Sequence, residues 1–286
     1  MKIKQWTALL LVLMLMLPLL GSAEQLVFEK GKAPEFAEGT PTLDIHVVPM
    51  IGGDCLILRC DGQVMLVDMG KENEYENIRS EFERLGIEKI DIAFNSHPHD
   101  DHLGSMMHIA EDYPVGLFLT AFDEDYDDGF CCQTETTAYL KEKNVPIRRV
   151  GDMDTFEFAS CHCTVYQIPD FPDCNYMSAL LLIEYGERRV LMTGDFIDGM
   201  QRLMAQSGRD IKAEIVKHPH HGLKPMYHDF IRAIEPQYAI ITHNYSCSAE
   251  ARDRLNDYRI RYGIAAWGPL HLATNGEYWL VDQLRD

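Results

Sequence analysis

The sequence predicts a layered α/β fold in which one sheet packs on another with helices outside. Three observations carry that expectation. Short apolar strand patterns alternate with helical patterns from Thr42 onward, turn signals separate them, and the chemically capable side chains fall at strand ends in both halves of the chain.

The elements follow in order. "LDIHVVPM", "DCLILRC" and "QVMLVDMG" read as strands, separated by turns at Gly52-Gly53 and Asp61-Gly62. "NIRSEFERLG" reads as a helix and "IDIAFNS" as the strand that follows it. Further helices are expected at "TTAYLKEKN", "GMQRLMAQSG", "YHDFIRAI" and "AEARDRLNDYRI". Further strands are expected at "VGLFLT", "TFEFASCHCTVYQI", "SALLLIEYG", "RRVLMTGD", "AEIVKHP" and "YAIITHN", with a hairpin at Gly186. Residues 24–41 are rich in Glu, Lys, Gly and Pro and read as a loosely held arm. "DEDYDD" at 123–128 reads as a solvated acidic loop, because a calcium loop wants glycine at its sixth position, where Asp128 stands.

The start of the chain has a separate logic. Lys2 and Lys4 precede an apolar run from Ala8 to Leu20, and Gly21-Ser22-Ala23 supplies small residues suited to cleavage. Residues 1–23 therefore read as a signal peptide, 24–41 as the arm and 42–286 as one large domain, with the product secreted, extracellular or at the cell surface. The run is short for a membrane span, so no stable span is expected after cleavage. The formal charge of −19 becomes two units more negative without the two lysines. That field opposes non-specific binding to nucleic acid, although cations bound at a site would still admit a phosphate-bearing substrate. Eight cysteines permit disulfides, but spacing alone leaves the pairing and the oligomeric state open. "CHC" at 161–163 reads as two strand cysteines sharing a face, with His162 between them as a strand residue.

The segment "SHPHDDHLG" carries the chemistry. Pro98 keeps His97 and His99 extended, so two imidazoles point the same way beyond a strand end. Asp100-Asp101 then starts a helix that brings the Asp101 carboxylate and the His102 imidazole to a neighbouring point. Four such donors in six positions predict a dinuclear centre for zinc-like dications. The sequence contains neither a Gly-x-Ser-x-Gly elbow nor a Gly-x-x-x-x-Gly-Lys loop.

His97-x-His99-x-Asp101-His102 resembles the HxHxDH signature of the metallo-β-lactamase superfamily, and other motifs of that superfamily occur in order. These are Asp68 in "MLVDMG", Asp195 in "VLMTGD" and the histidines of "KHPHHG". "GGDCLILRCDGQVMLVDMG", Asn175 with Ser178, Thr193-Gly194-Asp195 and His220-His221-Gly222 are most similar to the ComEC-type branch. That branch includes the soluble domain of DNA-internalisation proteins and secreted phosphocholine esterases. The resemblance spans roughly residues 43 to 285 and implies a four-layer αβ/βα sandwich with the histidine block at the mouth between the sheets.

It also implies roles. His97 and His99 would hold one of two divalent ions, zinc with manganese as the alternative. Asp101, His102 and His220 would hold the other, with Asp195 bridging; Asp101 and Asp195 would be the catalytic carboxylates. His221 would substitute for His220 or contact substrate, and His218 reads as a strand histidine. Asp68, Asn175 and Ser178 would support the ligands or the substrate, Asp68 by accepting a hydrogen bond from a ligand histidine. Ser178 and Thr193 are expected to bond backbone at the hairpin base. The superfamily's histidine between HxHxDH and the bridging aspartate is absent, and Asn175 occupies its neighbourhood. The first metal is therefore expected to be one protein ligand short, completed by water or substrate. The branch's late histidine has no match after "THNYS".

The expected function is an exported metal-dependent hydrolase in which a hydroxide bridging two metals attacks a phosphoester or phosphodiester of a small molecule or the cell envelope. A β-lactam or lactone hydrolase and a non-catalytic metal-binding surface module are the alternatives. Secreted protein should begin near Glu24 on N-terminal sequencing; material retaining Met1 to Ala23 would contradict the export reading.

Overall fold

Alternation along each strand decides which of three interlayer cores a side chain enters. In β3 (Cys55–Cys60), Leu56, Leu58 and Cys60 face the opposite sheet, whereas Cys55 and Ile57 face helices. The pattern repeats in β10 (Leu180–Tyr185), where Leu181 and Ile183 face the other sheet and Leu180 and Leu182 turn outward. A computed structural model describes residues 26–171, 173–197, 199–242 and 248–283. The expected signal peptide, together with His243, Asn244 and Cys247, lies outside the described residues.

Nine strands form the first sheet. They are β1 (Val27–Glu29), β2 (Leu43–Val47), β3, β4 (Gln63–Met69), β5 (Ile92–Asn95), β6 (Phe118–Thr120), β7 (Ile147–Arg149), β15 (Leu270–Thr274) and β16 (Trp279–Gln283). Their order is β1-β16-β15-β2-β3-β4-β5-β6-β7. The second sheet joins β8 (Thr155–Phe158), β9 (Cys161–Tyr166), β10, β11 (Arg188–Met192), β12 (Ile215–Lys217), β13 (Tyr238–Ile241) and β14 (Arg261–Ile264), in the order β14-β13-β12-β11-β10-β9-β8. Helices α1 (Tyr75–Leu85), α2 (Asp100–Leu103), α3 (Met106–Asp112) and α4 (Gln133–Glu142) accompany the first sheet. Helices α5 (Gly199–Gln206), α6 (His228–Ile234) and α7 (Ala249–Asp257) cover the second. The four-layer αβ/βα sandwich expected from the sequence is the observed architecture.

Local chemistry explains the connections. Asp61 and Gly62 both take positive φ, which suits a two-residue hairpin between β3 and β4. Ser248 caps α7 by accepting from the Ala251 N–H at 3.1 Å. The β4–β5 and β11–β12 pairs are parallel, so the segments leaving them emerge at the same end of their sheets. Those segments carry the candidate site, as crevices beyond the carboxyl ends of parallel strands generally do.

Three expectations need correction. The arm is tied down: Val27–Glu29 pairs parallel with β16, Val27 is buried, and the Tyr278 hydroxyl donates to Pro34 O at 2.8 Å. "TFEFASCHCTVYQI" is a hairpin of β8 and β9, turned by Ala159 at φ 50 without the glycine or proline that would have announced it. The closing strands β14, β15 and β16 were not anticipated. Cys161 and Cys163 do share a buried face, and seven cysteines among the described residues are unbridged.

Trp279 in β16 has no solvent exposure and packs in the inter-sheet core. Trp279→Ala should lower unfolding free energy by about 3–5 kcal/mol in urea titration.

Candidate metal centre

The site is assembled from four strand ends and is organised by two buried carboxylates. Asp68, the sixth residue of β4, sits at φ 59, a left-handed conformation that costs a non-glycine residue on the order of 1 kcal/mol. In that pose it accepts from the Ser96 N–H at 2.7 Å and from Ser96 Oγ at 2.8 Å, and it pairs with His102 Nδ1 at 2.8 Å. A carboxylate only accepts, so His102 Nδ1 carries a proton and its Nε2 is the nitrogen turned toward Asp195. Ser96 Oγ, having donated its own hydrogen to Asp68, accepts from His97 Nδ1 at 3.1 Å. Asp68 therefore fixes the tautomer of His102 directly and of His97 through Ser96.

Asp54 plays the matching part for His221. Its Oδ1 accepts from His221 Nδ1 at 3.0 Å, and its Oδ2 pairs with the buried Lys217 ammonium. Thr242 Oγ1 also contacts His221 Nδ1, at 3.2 Å. The loop bearing Asp54 is held against α2 by the Asp54 N–H, which donates to Asp101 O at 3.0 Å. A Cβ on Gly53 would lie 2.6 Å from that same oxygen, so only glycine permits the approach.

Asp195 lies between the two groups of histidines. Its Oδ1 is 3.1 Å from His102 Nε2; its Oδ2 is 3.3 Å from His221 Nε2, 3.7 Å from His220 Nε2 and 4.0 Å from His97 Nε2. The Asp195 N–H donates to Ser178 Oγ at 3.2 Å, and Thr193 Oγ1 donates to Lys217 O at 2.7 Å. Gly194 (φ 49) leaves no room for a side chain, since a Cβ would sit 2.5 Å from Ser96 Oγ. Lys217 Nζ donates to Gly194 O at 2.9 Å and stays 3.8 Å from Asp195 Oδ1.

The geometry changes one assignment. His221, not the expected His220, stands with Asp101 and His102: its Nε2 is 3.2 Å from Asp101 Oδ2. His220 and His221 both adopt left-handed φ, and this pair of strained residues turns His221 inward while His220 remains a quarter exposed. His218 is buried one residue beyond β12, with Nδ1 against Pro219 O. His162 lies on the exposed face of β9 beside Glu157 and belongs to none of the candidate clusters among the described residues. Asn175 bonds the Asp173 carboxylate through its N–H, and its Oδ1 is buried without a partner.

Three participants escaped the sequence reading. Asp54 and Lys217 stand inside quoted motifs, but neither had been given a role; a lysine ending the apolar strand "IVK" was the available signal. Asp128, expected in a solvated loop, places Oδ2 3.8 Å from His99 Nε2. The loop after β6 is held there by the Cys132 N–H, which donates to Pro98 O at 3.0 Å.

The donor set fits dications. His97 Nε2, His102 Nε2, His221 Nε2 and Asp195 Oδ1 are all buried without a well-formed hydrogen bond, a cost that a bound cation would remove. Asp54, Asp68 and Asp195 are buried within the site, whereas Lys217 is the buried lysine among them. Burial acts against a charged His221, yet Asp195 and Asp54 beside it raise its pKa to about 10. His102 is likewise raised, against burial, chiefly by Asp195. Burial opposes ionisation of Asp195 too, but His221 and His102 hold it well below the carboxylate range. His97 goes the other way, pushed down by burial and by His102. The pocket thus attracts positive charge most strongly between His102 and His221. His97 with His99 is one group of donors that could hold a metal, and Asp101 with His102 and His221 is a second.

Replacing Asp68 by Asn should weaken metal affinity about 10–100-fold in competition with a chelator, because one change releases two histidine tautomers.

Residues 49–127 match the family model for the metallo-beta-lactamase superfamily. ComE operon protein 3 of Bacillus subtilis (strain 168) is 26% identical over 163 residues, 55% of this chain and 20% of that protein, so the match spans about a fifth of that relative. The metallo-beta-lactamase fold protein YhfI from Bacillus subtilis has a TM-score of 0.53 at 11% identity, covering 78% of this chain and 95% of that one. CmlA, a diiron beta-hydroxylase from Streptomyces venezuelae, has a TM-score of 0.48 at 16% identity, over 73% of this chain and 45% of that one. With its two facing sheets, the chain carries the metallo-β-lactamase fold; residues 49–127 match that superfamily's model, and 163 residues are similar to a ComEC-type relative.

Proposed function

We propose that the chain is an exported hydrolase using two divalent metals, zinc above manganese, to cleave phosphoester bonds, with phosphodiesters favoured. The observation that carries this is the placing of four imidazole nitrogens, from His97, His102, His220 and His221, within 4.0 Å of one buried carboxylate, Asp195. A pair of dications there would supply an acidified water and neutralise charge at the attacked centre.

The protein's own groups divide the remaining work. Asp54 and Asp68 orient the ligand rings, and Asp195 holds the two halves of the site together. The side chains of His99, Asp101 and His220 are each about a quarter exposed, unlike the buried His97, His102 and His221. Substrate would therefore approach over His99, Asp101 and His220. An Asp101 carboxylate oxygen would take a proton from the attacking water, and His220 would bond the group attacked. Phosphoesters are favoured by similarity to the ComEC-type branch and by the absence of the middle histidine. The acidic surface opposes non-specific nucleic-acid binding. Export rests on the tripartite start of the sequence. No helix among the described residues is long and apolar enough to cross a membrane.

Metal-loaded protein should hydrolyse an aryl phosphodiester faster than a phosphomonoester or a β-lactam. Faster β-lactam turnover would favour acyl chemistry, and two bound metals with no turnover of any probe would favour the non-catalytic module. Asp195→Ala should reduce turnover on the order of 1,000-fold, about 4 kcal/mol of barrier, and should lower metal content. His162→Ala should change neither, because that side chain points to solvent on β9.

A further inference from the structure

The first metal position is expected to be one protein ligand short, and a further donor lies against it. A ring nitrogen of His97, a ring nitrogen of His99 and the Sγ of Cys174 lie within 4.8 Å of one another. His97 is fully buried; its Nδ1 is engaged by Ser96 Oγ, and its Nε2 has no partner. Cys174 is also fully buried, so its sulfur is not simply a surface thiol near the mouth. The turn that carries it is pinned. Cys174 O accepts from the Met177 N–H at 3.0 Å, the Asn175 N–H donates to Asp173 Oδ1 at 2.8 Å, and Gln167 Nε2 donates to Met177 O at 2.9 Å.

We infer that Cys174 is the third protein ligand of the first metal position, completing with His97 and His99 a site of two imidazoles and one thiolate. The inference rests on the metal-centre reading above and deepens it. Donors on a single tetrahedral cation, at about 2.0–2.3 Å from it, stand about 3.5 Å apart, so the observed cluster needs only modest closure. Asn175, which the sequence motif places at this point, is the neighbour of the donor and not the donor. When the metal enters, a sulfur–metal bond replaces the S–H bond and the proton leaves to solvent. A soft sulfur donor discriminates between metals: the first position should take zinc in preference to manganese, while the oxygen- and nitrogen-lined second position is less selective.

The rival explanation is a disulfide. The Asp128 carboxylate lies against both Cys131 and Cys174, and an oxidised bond between those two would consume the sulfur. Cobalt reconstitution of the whole protein separates the cases, because a cobalt–thiolate pair absorbs strongly in the near ultraviolet and cobalt with only nitrogen and oxygen donors does not. Wild-type protein should bind about two cobalt ions and show that band. Cys174→Ser should lose the band and about one metal equivalent. Cys174→His should regain the metal without regaining the band, which a merely structural cysteine would not produce. Cys163→Ser, at a fully buried cysteine of β9, should retain both.

The inference fails if the band survives in Cys174→Ser, if the wild type binds both metals without it, or if peptide mapping without reductant finds Cys131 joined to Cys174. Wild-type protein that binds no metal would overturn the proposed function as well. Two bound metals without the band would overturn the cysteine assignment alone.

Discussion

The structure depends on burying several carboxylates together where water is scarce. Asp54, Asp68 and Asp195 are buried together, with Lys217 as the buried ammonium among them. An uncompensated carboxylate in such a place is costly, so the arrangement is tenable only if positive charge is drawn in. Without metal, the nearby imidazoles respond by holding protons more tightly, as His102 and His221 do. Dications satisfy the same demand with donors already aimed. The features around the pocket follow from this need: left-handed Asp68, His220 and His221, and glycines where backbone must approach closely.

Topology supplies what local sequence cannot. The β4–β5 and β11–β12 pairs lie in different sheets, yet their carboxyl ends open into one crevice. A direct hydrogen bond links the halves there, from the Ala179 N–H to Ser96 O at 2.9 Å. The Gly194 backbone rests on Ser96 from one side and takes the Lys217 ammonium from the other. The ligand from each half is thus placed by packing in the other half, and a large inter-sheet core keeps the two sheets in register.

What could be read from the sequence was what is local along the chain. His97, His99, Asp101 and His102 sit on one strand-to-helix junction, where spacing of two and the start of a helix determine direction. Alternation was enough for most strands, since each buries one face in each of two cores. The β8–β9 turn was hidden because Ala159 adopts positive φ without a residue that advertises it. The choice between His220 and His221 depends on two consecutive left-handed residues, which no periodicity encodes. Asp54 was out of reach for a different reason. Its partner His221 is 167 positions away, and the value of either residue appears only when both are buried together. Asp128 and Cys174 reach the site from loops, where composition gives polarity but not direction.

The central claim is that Asp195 lies between two metal positions. The most direct test is anomalous diffraction from crystals of the metal-loaded protein, collected at the metal's absorption edge. The account predicts two peaks about 3.5–4 Å apart flanking the Asp195 carboxylate, one beside His97 and His99 and the other beside Asp101, His102 and His221. A single peak, or peaks confined to the outer cluster of Asp44, His46 and His271, would contradict it.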